Sequence, residues 1–113
     1  MEFTFSHAGN VGVYKLKGNL IGEKDGIPIA EAFADELENG TRKFVIDLSE
    51  LQHINSTGLG VLITLHTKTR KQEGGEMALA GPSAYIQNLL KITKLNTIFS
   101  IFETTDEALS AIA

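Results

Sequence analysis

Along this chain the spacing between apolar residues switches repeatedly between two and about four, and that alternation narrows the fold more than any other feature. Phe3 and Phe5 alternate with Glu2, Thr4 and Ser6, Ala8-Gly9-Asn10 supplies turn residues, and Val11 and Val13 resume the period of two. The chain therefore opens with a hairpin. A polar, Gly-rich stretch runs from Gly18 to Pro28, after which Ile29, Phe33 and Leu37 recur every four residues beside Ala30 and Ala34. That spacing predicts an amphipathic helix ending at Asn39-Gly40. Its other face carries Glu31, Asp35 and Glu38, an acidic stripe suited to solvent.

Phe44-Val45-Ile46 is apolar without alternation, as in a central strand covered on both faces, and Asp47 through Asn55 reads as a loop. A second helix is expected from Ser56 to about Gln72, with Leu59, Leu62, Ile63 and His66 on one side and a stop at Gly74-Gly75. Lys68, Arg70 and Lys71 fall in its last turns, where cations complement the negative end of the helix dipole. Met77-Ala78-Leu79-Ala80 reads as another buried strand and Gly81-Pro82 as a turn. Tyr85, Ile86, Leu89 and Leu90 mark a third helical face, and Ile98 through Phe102 a last short strand. Thr104 and Glu107 stand at capping-box spacing before a C-terminal helix with Ala108, Leu109 and Ile112 facing inward. The order β-β-α-β-α-β-α-β-α implies one α/β domain over residues 1–113, with a central mixed sheet of about five strands and four helices.

A chain of 113 residues has room for one such domain. At 12.2 kDa, area scaling leaves roughly 6,000 Å² accessible of the ~17,700 Å² that the unfolded chain exposes, so about two-thirds is buried. Fourteen acidic against ten basic residues give a net charge of −4, the wrong sign for a domain that grips phosphate backbones, so nucleic acid is not an expected partner. With no cysteine, disulfides, thiolate metal sites and cysteine nucleophiles are excluded. The first residues lack a basic segment followed by an apolar run, and aliphatic stretches are short. A cytoplasmic protein without membrane insertion is expected.

No catalytic set emerges from the motifs. His7, His53 and His66 lie far apart without a second ligand at helical or hairpin spacing, so neither a metal nor a cofactor is expected. Gly58-Leu59-Gly60 begins like a phosphate loop, but Ile63 occupies the place of the third glycine and no Gly-Lys-Ser/Thr follows. Ser56 has Gly58 two residues after it but Ile54 two residues before it, so the G-x-S-x-G of a nucleophile elbow is incomplete. Asp47 closes a buried strand where α/β folds place ligands, yet Tyr14 to Asn19 offers no acidic partners for a divalent cation. Asp47 is expected instead to accept backbone hydrogen bonds at a turn.

The remaining cluster is Asn55-Ser56-Thr57-Gly58, at the junction of a loop and a helix. Asn, Ser and Thr are preferred N-caps because their oxygens accept from unpaired first-turn amides. One cap suffices. Here two adjacent hydroxyls are followed by a glycine that leaves the backbone open to close approach. A phosphate at this point would face the positive helix end, so the fold should tolerate it.

Phe44-Val45-Ile46-Asp47-Leu48-Ser49 followed by Ile54-Asn55-Ser56-Thr57-Gly58-Leu59-Gly60 resembles the signature of the STAS domain, especially of bacterial anti-sigma factor antagonists. Gly18-Asn19-Leu20, Leu79-Ala80-Gly81 and Leu95-Asn96-Thr97-Ile98-Phe99 extend the resemblance over nearly the whole chain. It implies a non-enzymatic binding module. A serine kinase of histidine-kinase-like ATPase fold, itself the anti-sigma factor, would phosphorylate Ser56, or as second choice Thr57. The unphosphorylated domain would bind that kinase through Asn55, Ser56, Thr57, Gly58 and Leu59 and so free a sigma factor, and a protein phosphatase would reset Ser56.

Two positions depart from the family pattern: Asn55 and Ile21 stand where the family usually has aspartates. Asn55 should keep the capping oxygen and lose the charge, so Asn55→Asp is expected to fold normally and, if charge limits the reaction, to be phosphorylated faster. The alternative is a STAS subunit that docks on a membrane transporter or a larger signalling assembly without a phosphoryl switch.

Overall fold

The computed structural model describes all residues from Met1 to Ala113. The elements are β1 (Glu2–Ala8), β2 (Val11–Leu20), α1 (Glu23–Glu38), β3 (Lys43–Ile54), α2 (Ser56–Arg70), β4 (Glu76–Ala80), α3 (Ala84–Ile92), a single 3₁₀ turn (Leu95–Thr97), β5 (Ser100–Phe102) and α4 (Thr105–Ile112). The five strands lie side by side in chain order. β1 runs antiparallel to β2, and β2 through β5 are mutually parallel. Crossovers of one hand that always add the next strand on the same side place every crossover helix on one face of the sheet. Accordingly α1, α2 and α3 share a large core with the sheet, in which Ile29, Phe33, Leu59, Leu62, Leu65, Ile86 and Leu90 pack with Tyr14, Phe44, Ile46 and Leu79. The opposite face carries a smaller cluster in which Ala108 and Ile112 of α4 cover Val11, Val45, Ala78 and Ala80. The Phe44-Val45-Ile46 run thus feeds both layers, with Phe44 and Ile46 in one and Val45 in the other. The accessible surface of 6150 Å² matches the scaling for a monomer of this mass.

Three boundaries differ from what the spacing predicts. The stretch from Asp47 to Asn55 is not a loop: β3 continues to Ile54 beside β2. Lys15 pairs with Asp47 but Lys17 with Glu50, and Gly18 pairs with Leu51 but Asn19 with His53, so β3 carries two extra residues. Each bulge resets the inward face. Leu48, Leu51 and Ile54 are therefore buried at intervals of three, which hides the strand from a search for period two. Asp47 serves the first bulge, its Oδ1 accepting from the Ser49 N–H at 2.9 Å.

The first helix begins at Glu23, six residues before the apolar spacing starts, and contains Gly26 and Pro28. A proline in the second turn removes one helical hydrogen bond, and the first turn, Glu23-Lys24-Asp25-Gly26, has no apolar side chain. The Asp25 carboxylate closes this end instead, accepting from the N–H groups of Gly22 (3.0 Å) and Ile21 (3.2 Å). The last strand is only Ser100–Phe102, because Leu95–Thr97 forms the 3₁₀ turn and Lys94 precedes it with φ of 62°. Smaller shifts concern side chains. Leu65 is buried in α2 whereas Ile63 is partly exposed, and Tyr85 lies on the outer side of α3. Half of the expected capping box of α4 forms: the Glu107 N–H donates to Thr104 Oγ1 at 3.1 Å, while the Glu107 carboxylate accepts from the Glu103 N–H at 3.3 Å in place of that of Thr104. No helix is long and apolar enough to cross a membrane.

Candidate functional site

β2 and β3 are parallel neighbours, so their C-terminal ends emerge together and Leu20 lies opposite Ile54 in register. The chain leaves one strand for α1 and the other for α2 at the same edge of the sheet. Asn55 occupies the N-cap of α2 in extended conformation. Its Oδ1 accepts from the Gly58 N–H at 3.0 Å, and its Nδ2 donates to the Ile21 carbonyl oxygen at 2.8 Å. The two partners fix the amide's orientation, since an N–H can only meet oxygen and a carbonyl can only meet the NH₂.

Ile21 is held from both sides. Its N–H donates to Asp25, the residue that closes α1, and its carbonyl accepts from Asn55, the residue that caps α2. One peptide segment therefore couples the starts of two helices. The carboxyl of Asp25 sits below the usual carboxylate range, chiefly because the Ile21 N–H donates to it, with further contributions from the Met1 ammonium 3.3 Å away and from the Gly22 N–H. The Ile21 side chain projects to solvent at 46% exposure.

With Asn55 acting as the cap, the hydroxyls of Ser56 and Thr57 are not needed for that purpose, and both residues are exposed in the first turn of α2. Helix geometry leaves first-turn amides without intrahelical acceptors. Gly58 and Leu59 are buried; their contribution to this surface is to position it. A Cβ at Gly58 would collide with the Leu20 carbonyl oxygen and lie 2.6 Å from Ile54 Cγ1, so only glycine lets α2 start this close to the strand ends. On the other flank, the Tyr85 hydroxyl reaches the Ile54 carbonyl at 3.4 Å and its ring meets His53 edge-on at 6.3 Å. Tyr85 is 54% exposed.

The five residues singled out from the sequence, Asn55 to Leu59, thus form one turn, two of them presenting hydroxyls, two setting the backbone and one capping it. The sequence gives no sign of Tyr85 beside this turn, nor of the contact between Asn55 and Ile21. His7, His53 and His66 are not brought together: His7 pairs with Glu36 at 3.0 Å, His53 lies against Tyr85, and His66 packs edge-on against Phe99 at 5.2 Å. No group of three or more His, Cys, Asp or Glu residues is arranged to hold a metal ion.

The family model for the STAS domain matches residues 3–108. The chain is 34% identical over 80 residues to a candidate anti-sigma factor antagonist of Thermotoga neapolitana, covering 71% of this chain and 70% of that one. It is also 34% identical over 110 residues to the anti-sigma F factor antagonist of Paenibacillus polymyxa, covering 97% and 93%. Among solved structures, a candidate anti-sigma factor antagonist of Thermotoga maritima superposes with a TM-score of 0.88 at 25% identity, over 97% of this chain and 93% of that one. At lower identity the fold alone is shared with phosphorylated SpoIIAA, a Bacillus cell fate determinant (TM-score 0.76, 17% identity, covering 99% of this chain and 100% of that one). The same holds for a sulfate transporter family protein of Wolinella succinogenes (TM-score 0.71, 18%, covering 91% and 84%). The match over most of the chain, together with the hydroxyl-bearing start of α2, places this protein in the STAS domain family, among the anti-sigma factor antagonists.

Proposed function

We propose that this protein is a phosphorylation-switched binding module: unphosphorylated, it sequesters an anti-sigma factor that is also its serine kinase, and so frees a sigma factor. The observation that carries this proposal is the division of labour at the start of α2. Asn55 caps the helix, so the exposed Ser56 hydroxyl is free to change its chemistry without uncapping it. In the transfer, Ser56 Oγ attacks the γ-phosphorus of ATP, the bond to the bridging oxygen breaks, ADP leaves, and the hydroxyl proton passes to a base of the kinase. The product carries about −1.5 to −2 charges. Within the domain this charge meets the positive end of α2, worth ~0.3–1 kcal/mol in favour of the fold. Across the interface it faces the phosphates of the ADP just formed, where a like charge at ~4 Å costs about 4 kcal/mol at an intermediate effective dielectric. Even ~2.7 kcal/mol weakens binding about a hundredfold. The intermolecular repulsion therefore wins, and the complex separates while the domain stays folded. A phosphatase that hydrolyses the Ser56 phosphate returns the module to its binding state.

Incubation with the cognate kinase and ATP, followed by intact-mass and peptide mapping, tests this. Modification at Ser56 is the expected result. Modification confined to Thr57 would move the switch by one residue. No modification by a kinase that binds the protein would favour a second reading, a STAS subunit docking on a transporter or larger assembly, which the fold shared with the Wolinella protein supports.

A further inference from the structure

Between α1 and α2 runs an open groove of about 470 Å³, walled by Gly26, Ile27 and Ala30 on one side and Gly60, Val61 and Thr64 on the other. It starts beside the switch, since Thr57 lines one end of it. The glycines of this region differ in a telling way. Gly26 is required by packing, because an added Cβ would lie 2.5 Å from Val61 Cγ2, and Gly58 is required by the Leu20 carbonyl. Gly60 has no such reason: a Cβ there would meet nothing within 4 Å. Glycine inside a helix is less stable than alanine, so a glycine whose missing side chain would occupy only the groove keeps that groove open at the expense of stability. Departures of this kind concentrate at functional sites. The Thr64 hydroxyl is satisfied within the helix, donating to the Gly60 carbonyl at 2.9 Å, so the free hydroxyl of that wall is that of Thr57, at the end beside the switch. On the facing wall Ile27 is 54% exposed. Glu23 and Glu31, both exposed, lie one turn before and one turn after it on the same side of α1.

We infer that this groove is a docking site for a basic amphipathic helix of the partner protein, whose apolar side chain fills the space above Gly60 while Lys or Arg residues one turn to either side pair with Glu23 and Glu31. The charge pattern selects this occupant: an exposed apolar residue bracketed by two carboxylates complements an apolar residue bracketed by two cations. The inference rests on the proposed function for the partner's identity, to which it adds a second foothold. That foothold is distinct from Ser56, which lies outside the groove lining. The two contacts divide the work, the groove supplying affinity that does not depend on phosphorylation and Ser56 supplying the switch.

The test uses a synthetic helical peptide of about sixteen residues with one Leu bracketed by Lys one turn before and after it. The peptide is titrated into the isotope-labelled full chain and followed by amide chemical shifts. Saturable shifts are expected at the six groove residues. Binding should weaken at least about tenfold with Gly60→Leu, whose Cβ meets nothing within 4 Å and which should melt no lower than wild type. The same loss is expected with Ile27→Ser and with a peptide whose Lys residues are replaced by Glu, while Ser110→Ala, exposed on α4 across the sheet, leaves binding unchanged. Absence of saturable shifts at the groove, or a Gly60→Leu protein that binds like wild type, would overturn the inference. Because no kinase is present, failure here leaves the Ser56 assignment to its own mapping experiment, and failure of that experiment leaves the groove result standing.

Discussion

The Asn55 side chain donates from Nδ2 to the Ile21 carbonyl oxygen at 2.8 Å, joining the cap of α2 to the peptide whose N–H is held by Asp25 at the start of α1. An aspartate could keep the cap to Gly58 but has no donor for Ile21, and would set a carboxylate oxygen against a carbonyl. The charge gained at the helix N-terminus is worth ~0.3–1 kcal/mol, and the lost hydrogen bond about 1 kcal/mol before repulsion is counted. Asn55→Asp should therefore fold but be less stable than wild type by up to about 1 kcal/mol, with Asn55→Ala lower still, near 2 kcal/mol below wild type. Urea titration of the three proteins checks the order. An Asn55→Asp protein as stable as wild type would show that the link to Ile21 contributes nothing net.

Two glycines a half-turn apart in α2 should respond oppositely to the same substitution. Gly58→Ala drives a Cβ into the Leu20 backbone and should cost ~3 kcal/mol or more, since backbone cannot yield as a side chain can. Gly60→Ala places the same methyl in open space and should gain about 0.5–1 kcal/mol. Thermal melts of the pair decide this.

Acid should weaken the fold in two separable steps. Burial, and then the nearby Arg70, hold the His66 imidazole below its ordinary value, so the unfolded chain takes up that proton more readily and stability falls as pH drops below ~6.5. Asp25 is held low by the Ile21 N–H. Its contribution is complete above the ordinary aspartate value of ~3.9 and is lost as pH falls through the lowered one. Melting temperature against pH should lose its upper step in His66→Gln. In Asp25→Asn the deficit relative to wild type should be present at neutral pH and shrink in acid.

The parts of this molecule legible in the sequence are those governed by local spacing. Ile29, Phe33 and Leu37 announce α1, the Thr104–Glu107 pair announces α4, and Asn55-Ser56-Thr57 announces a helix start. What escaped is set by contacts between distant residues. The two bulges of β3 arise from its register with β2 and turn an alternating pattern into intervals of three. The early start of α1 depends on Asp25 reaching back to Ile21 and Gly22, which overrides the discouraging presence of Gly26 and Pro28. Ile21 and Asn55 are 34 positions apart, and nothing in either neighbourhood marks them as partners. The candidate hydroxyls could thus be named from the sequence, whereas the scaffold that holds them, and the exposed Ile21, Ile27 and Tyr85 around them, required the fold.

The most direct test of the switch is a calorimetric titration of the cognate kinase, with ADP bound, by the Ser56-phosphorylated protein and by its unphosphorylated counterpart, with thermal melts of both. A hundredfold or greater loss of affinity on phosphorylation is expected, equivalent to ~2.7 kcal/mol or more, at melting temperatures within a few degrees of each other because the phosphate meets the positive end of α2. Ser56→Asp, with one charge in place of nearly two, should lose at least about tenfold, and Ser56→Ala should bind like the unphosphorylated protein. Equal affinity of the two forms, or a loss that appears only because the phosphorylated protein has unfolded, would contradict the account.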